Sequence, residues 1–331
     1  MRRLGALLLL IAVVPGTLLR EVAPPTRFKP ELRFVPVPLP PAREAAKHLG
    51  AFRLDGIWEM RSRRGGFGGY SALVALGHGQ LLTVSDRGDT LRFAVPGTGG
   101  TKPGAPPIFA TLVQRRGTQK ASNDAESATR DPLTGQLWIG WEHTNAISRH
   151  DPDLMRRATV RPRQMRGWGG NSGAEAMVRL RGGRFIVLSE GFAARFDSVR
   201  HPAVLFSCDP TRRCPGLGFT FEGPAGFSPT DMTELPDGRV LVLMRRLVWP
   251  FPLRFAGRIA IADPAELRAG RPWRAREVAK LTSTLPVDNF EGIAVEPRGD
   301  GTVTVWLISD YNDALTQRIL LWQLRLDPKE I

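Results

Sequence analysis

Cysteine is close to absent: the 331 residues contain only Cys208 and Cys214. That number rules out a multi-cysteine metal centre. The pair sits in the polar loop Ser207-Cys208-Asp209-Pro210-Thr211-Arg212-Arg213-Cys214, where an oxidising compartment would close a small ring. The rival reading, a metal pair, lacks a third cysteine and a nearby histidine. Lysine is also scarce, with six against forty arginines, yet the net charge is +14. A nucleic-acid footprint would gather the arginines into a stripe with interleaved aromatics; here they are scattered along the chain, so no nucleic-acid partner is expected. No G-x-S-x-G occurs, which removes the nucleophile elbow of a serine hydrolase. Gly65–Gly69 is glycine-rich but lacks the lysine and following helix of a phosphate-binding loop. After the first twenty residues no apolar run is long enough to cross a bilayer.

The one greasy run, Leu4–Val14, follows Arg2 and Arg3. Charged-then-apolar is the order of a secretory signal. With no A-x-A site behind it, residues 1–20 read as either a signal peptide or an N-terminal anchor, and the location as periplasmic or secreted. Residues 21–49 read as an extended, proline-rich lead-in to one domain spanning 50–331.

Within that domain a unit recurs five times: an acid, small or apolar residues, a glycine turn, an apolar strand and a second acid. Its copies open at Ser71 (where the acid is missing), Glu126, Glu175, Asp231 and Glu291, steps of 49 to 60 residues. Each copy reads as a β-hairpin, with two more short strands before the next. Four strands per repeat of about 50 residues is the arithmetic of a propeller blade. The predicted fold is therefore an all-β, single β-propeller of five four-stranded blades, six if a degenerate hairpin is hidden between repeats. Phe52–Arg61 and Arg318–Leu326 are strands without hairpins of their own, and pairing them would close the ring and remove both free edges.

The ends of a hairpin lie together. Glu126, Glu175, Asp231 and Glu291 open first strands, while Asp86, Glu142, Glu190 and Asp310 close second strands, so all should meet at one mouth of the channel, flanked by Asp124, Asn171, Asp288, Asn289 and Asn312. Carboxylates so placed repel unless something positive intervenes. Arginine is one answer: Arg87 follows Asp86, and Arg245-Arg246 stand where the fourth repeat would carry its second acid. A bound cation is the other, and an oxygen-only donor set fits Ca²⁺ better than Zn²⁺. The plainer alternative is that each acid caps a turn or binds amides of a neighbouring blade. His143, beside Glu142, is either a general acid or a surface histidine at a strand end. Trp138, Trp141, Trp306 and Trp322 fall at core strand positions, whereas Trp168 lies in a loop from which it could stack on a ligand.

Asp124-Ala-Glu126-Ser-Ala, Asp288-Asn-Phe-Glu291-Gly-Ile-Ala, Ser309-Asp310-Tyr-Asn312, Phe67-Gly-Gly-Tyr-Ser71 and Ser85-Asp86-Arg87-Gly88 resemble the phytase-like family called "esterase-like activity of phytase". The resemblance runs over roughly residues 50–327. It implies an exported propeller with phosphoesterase or esterase activity assisted by calcium. On that reading Glu126, Glu175, Asp231, Glu291, Asp310, Asp86, Glu142, Asn289 and Asn312 would supply metal ligands. Arg87, Arg245, Arg246 and His143 would act on a small phosphorylated substrate, and the protein would be a monomer with no membrane contact beyond its N-terminal segment. Ser71 and Arg246 depart from the acidic pattern. A non-catalytic propeller that binds a ligand or protein at this mouth, and a lactonase-type ester hydrolase, are the alternative functions.

Overall fold

The computed structural model describes residues 31–97, 106–112, 124–170, 172–248, 254–311 and 317–331. Residues 1–20, Asn171 and Asn312 lie outside them. The first elements among the described residues are β1 (Arg33–Pro36), the helix α1 (Ala42–Leu49) and β2 (Arg53–Arg61). The first blade follows as β3 (Tyr70–Gly77), β4 (Gln80–Ser85), β5 (Asp89–Ala94) and β6 (Ile108–Thr111). The second is β7 (Ala125–Arg130), β8 (Leu137–Trp141), β9 (Ala146–His150) and β10 (Arg156–Val160). The third comprises β11 (Ala174–Arg179), β12 (Phe185–Ser189), β13 (Arg200–Phe206) and β14 (Gly216–Glu222), with β18 (Trp273–Arg274) added in parallel at its edge. The fourth is β15 (Ser228–Glu234), β16 (Val240–Val248), β17 (Arg254–Ala262) and β19 (Arg276–Leu281).

The fifth blade closes the ring. β20 (Asn289–Pro297), β21 (Val303–Asp310) and β22 (Leu320–Leu326) come from the C-terminus, and β2 pairs antiparallel with β22, with Ile57 opposite Trp322. The two strands predicted to meet do so, and five blades are present. The lead-in is not simply extended. β1 forms a fifth strand on the outside of the last blade, Phe34 opposite Met60. Ala42-Arg-Glu-Ala-Ala-Lys-His-Leu49 is a run of mostly good helix formers. As α1 it buries Ala45 and Leu49, four residues apart, against the core between the fourth and fifth blades.

Alternation along each strand builds the disc. On β16, Leu241 and Leu243 pack towards the fifth blade while Val240, Val242 and Met244 pack towards the third. The same division at every blade yields five separate clusters of buried residues, one in each seam between neighbours. Trp138, Trp141, Trp306 and Trp322 are core residues as expected, all at most 5% exposed. Cys208 and Cys214 form the expected disulfide.

Candidate functional site

All five innermost strands carry the same irregularity near their first residue. The register slips between Tyr70 and Ala72, Ala125 and Ser127, Ala174 and Ala176, Pro229 and Asp231, and Phe290 and Gly292. Each slip is a β-bulge, which leaves one residue unpaired and re-aims its side chain. The bulged residues are Ser71, Glu126, Glu175, Thr230 and Glu291. Opposite them, just past the residue that pairs with the start of the bulge, stand Asp86, Glu142, Glu190, Arg245 and Asp310. Seven of these ten positions are carboxylates, and one is arginine.

Three predicted metal ligands or their neighbours come together closely. One carboxylate oxygen from each of Glu142, Glu175 and Glu190 lies within 4.8 Å of the other two. Gly173 makes this approach possible: a Cβ there would stand 2.5 Å from the Glu142 Cα and 2.7 Å from its carbonyl oxygen. Glu175 is 5% exposed, and its Oε1 has no hydrogen-bond partner. Burial, then the charges of Glu126, Glu190 and Glu142, holds its pKa well above the usual carboxylate range. Glu126 is raised likewise by burial and by Glu291, Glu142, Asp124 and Asp86. Glu142 is raised by burial and by Asp124 and Glu190, against a hydrogen bond from the Glu175 carboxyl.

The fourth and fifth blades solve the same problem internally. Arg245 Nη1 donates to Asn289 Oδ1 at 2.9 Å and to Glu291 Oε1, and its Nη2 lies 3.6 Å from Glu190 Oε1. Asn289 Nδ2 also donates to Glu291 Oε1. Burial acts against the Arg245 charge, but Glu291, Glu190, Glu175 and Glu126 outweigh it and keep its pKa above the ordinary value. Burial raises the Glu291 pKa while Arg245 opposes the rise. In the first blade Arg87 donates to the carbonyl of Gly68 at 2.9 Å and sits 3.7 Å from Asp86 Oδ1. Asp310, buried at the end of β21, accepts from the amide of Tyr311 at 2.7 Å.

Three predicted site residues are placed elsewhere. Asp231 is one residue past the bulge, so Thr230 occupies the position equivalent to Glu126. The Asp231 carboxylate is fully buried and accepts from the amides of Leu73 (3.2 Å), Ile293 (2.9 Å) and Met232 (2.8 Å). It therefore ties three inner strands together, the plainer role open to such an acid. Gly292 permits that approach, because a Cβ there would stand 2.8 Å from the Leu73 Cβ. Arg246 alternates with Arg245 and faces the other way: exposed, it lies over the Phe227 ring at 4.6 Å, in the seam with the third blade. His143 is exposed in the turn between β8 and β9. Trp168 is half-buried against the core between the second and third blades, and its carbonyl accepts from Asn145 Nδ2 at 3.0 Å.

Sequence reasoning missed His201. Buried on β13, it lies 3.1 Å from the carbonyls of Glu190 and Gly191 through Nδ1 and 3.1 Å from that of Phe227 through Nε2. It fastens the Glu190 turn to the entry of β15. Nothing local marks it, because its partners are 10, 11 and 26 residues away.

No curated protein matches the chain in sequence. Among solved structures, the α-L-arabinofuranosidase PaAbf62A from Podospora anserina, in complex with cellotriose, is 12% identical with a TM-score of 0.46, covering 78% of this chain and 92% of that one. A luciferin-regenerating enzyme is 12% identical with a TM-score of 0.44, over 82% of this chain and 86% of that one. A nidogen/laminin complex gives 10% and 0.43, over 86% and 92%. The sequence profile of the Phytase-like family, "esterase-like activity of phytase", matches residues 65–313. That span covers well over half of the 331 residues and all the bulged positions, and the chain belongs to this family.

Proposed function

We propose that the protein is a calcium-assisted hydrolase of phosphoesters working at the acidic mouth. One observation carries the reading: the Glu142, Glu175 and Glu190 carboxylates within 4.8 Å of one another, with a buried, unpartnered oxygen on Glu175. Three carboxylates so close are held apart by repulsion unless a cation or protons intervene. The donor atoms are all oxygen, as Ca²⁺ requires. Bound at this trio, a divalent cation would polarise a phosphoryl oxygen and acidify a nearby water.

The chain's own groups supply the rest. Glu126, whose pKa burial and the charges of Glu291, Glu142, Asp124 and Asp86 raise, is the carboxyl that would hold a proton towards a leaving oxygen. Arg245, fixed by Asn289 and Glu291, presents a planar cation suited to phosphate oxygens. Arg87 stands on the first-blade side of the same mouth. Arg246 and His143 have no part in this arrangement.

The test is metal analysis of the purified protein together with a screen of generic phosphoesters and carboxylic esters, with and without chelator. Hydrolysis that needs calcium and is lost in Glu175→Gln supports the reading. Turnover unaffected by chelator, or none on any ester by a calcium-loaded, folded protein, sinks it; the latter would leave a binding module at the same mouth.

A further inference from the structure

The inner strands run from the acidic mouth towards the opposite face, where they enclose a second cavity of about 280 Å³. Its lining begins past the bulge on every inner strand, at Leu73, Ala128, Val178, Met232 and Ala294. Asp231, bonded to the amides of Leu73 and Ile293, lies between the bulges and this lining. The floor is apolar. The rim carries Arg130, Arg179 and Arg181 from the second and third blades, and Thr233 and Glu234 from the fourth.

The three arginines differ in how they are occupied. Arg179 Nη2 is 3.3 Å from Asp131 Oδ2, and Asp131 is further engaged by the Leu133 amide at 3.0 Å and the Thr134 hydroxyl at 3.0 Å. Arg181 donates to the carbonyls of Leu235 and Pro236 and lies 3.6 Å from Glu234. The Arg130 guanidinium, half-buried, makes no hydrogen bond or ion pair among the described residues. Burial lowers its pKa, with Asp131 opposing the shift and Arg92 adding to it. A partly desolvated cation beside an apolar floor is complementary to an anion with an apolar body. The volume lies near the lower end of small-molecule sites, about 300 Å³, which suits a ligand the size of a short-chain acid.

We propose that this cavity binds a small organic anion, with one carboxylate or phosphate head on Arg130 and a short alkyl body against Leu73, Val178, Met232 and Ala294. The site stands apart from the acidic mouth and does not depend on the function proposed for it.

The experiment is calorimetric titration of the full chain, with chelator present, using hexanoate and hexyl phosphate as probes and acetate and inorganic phosphate as head-only controls. One or both amphiphiles should bind one to one, at least about ten-fold more tightly than the matching head alone; four or five buried methylene groups suffice for that. The tighter of the two identifies the head. Arg130→Gln should weaken binding about ten-fold, the loss of one charge-assisted hydrogen bond. Thr233→Phe, which fills the cavity without altering a charge, should abolish it, whereas Glu175→Gln should leave it unchanged. No binding of either amphiphile by folded protein overturns the proposal. So does equal binding of acetate and hexanoate, or binding that survives both Arg130→Gln and Thr233→Phe.

Discussion

Two halves of one acidic mouth meet the same electrostatic demand differently. Where the fourth and fifth blades face each other, Arg245 sits between Glu291 and Glu190, with Asn289 completing its contacts. Where the second and third blades meet, Glu142, Glu175 and Glu190 crowd together, and one Glu175 oxygen has no partner. The blades repeat the same hairpin and the same bulge, so the difference comes from the fourth blade, which places Thr230 and Arg245 where the second and third blades place carboxylates. A resident cation makes one half self-sufficient. In the other half Glu175 Oε1 has no hydrogen-bond partner, and on the proposed function a cation from solution would take that place.

The largest effect should come from erasing that difference. Arg245→Ala leaves Glu291 and Glu190 without their counter-charge. Removing one partner of a buried ion pair costs about 3–5 kcal/mol. The Arg245 side chain retains 22% of its exposure, so about 2–3 kcal/mol is expected in chelator by urea denaturation. If both halves then depend on a cation, calcium should restore more stability to Arg245→Ala than to the parent protein. An equal calcium response in the two would break the comparison.

A smaller effect sharpens it through pH. Glu126, Glu175, Glu142 and Glu291 all have raised pKa values in the folded protein. A carboxyl raised in this way contributes stability fully below its unfolded value, about 4.3, and that contribution is lost as pH climbs through the folded value. His150 and His201, lowered by burial, work in the opposite direction near pH 6.5. The informative quantity is therefore the difference in Tm between calcium and chelator, which should widen from pH 5 to pH 8. In Glu175→Gln the widening should shrink. A difference that stays flat with pH would detach the acid cluster from any cation.

The smallest effect belongs to Arg246. Its stack on Phe227 is exposed, and such a contact contributes about 0.5–1 kcal/mol. Arg246→Ala should cost no more than that and leave the calcium response of the melting curve unchanged. Loss of the calcium response in Arg246→Ala, alongside an unaffected Arg245→Ala, would mean that the two arginines had been assigned to the wrong faces.

The arginine pair also marks where reading the chain succeeds and where it stops. The repeat spacing predicted hairpins, four strands per unit and closure by Phe52–Arg61 with Arg318–Leu326, because each follows from local alternation and from the cost of leaving edges unpaired. Glu126, Glu175 and Glu291 were recognisable for the same reason. Asp231 was not, since an acid one residue past a bulge looks the same in sequence as an acid on it. β1 and α1 were hidden in a proline-rich stretch whose order comes from docking on the fifth blade and on the neighbouring seam.

What the sequence by itself determined is the class of strand, a propeller of five or six blades and the collection of acids at one end, all set by period-two patterning and turn residues that act over a few positions. What the tertiary structure decided is which acids touch. A one-residue bulge exchanges the faces of a strand, sending Thr230 to the mouth and Asp231 into the wall. Ring closure then sets the distances between blades, bringing Glu175, which its own hairpin already holds beside Glu190, to Glu142 across a gap of 33 residues, and placing Arg245, not Arg246, among the carboxylates. Distances of that kind depend on how five separately patterned hairpins pack, and no local pattern encodes them.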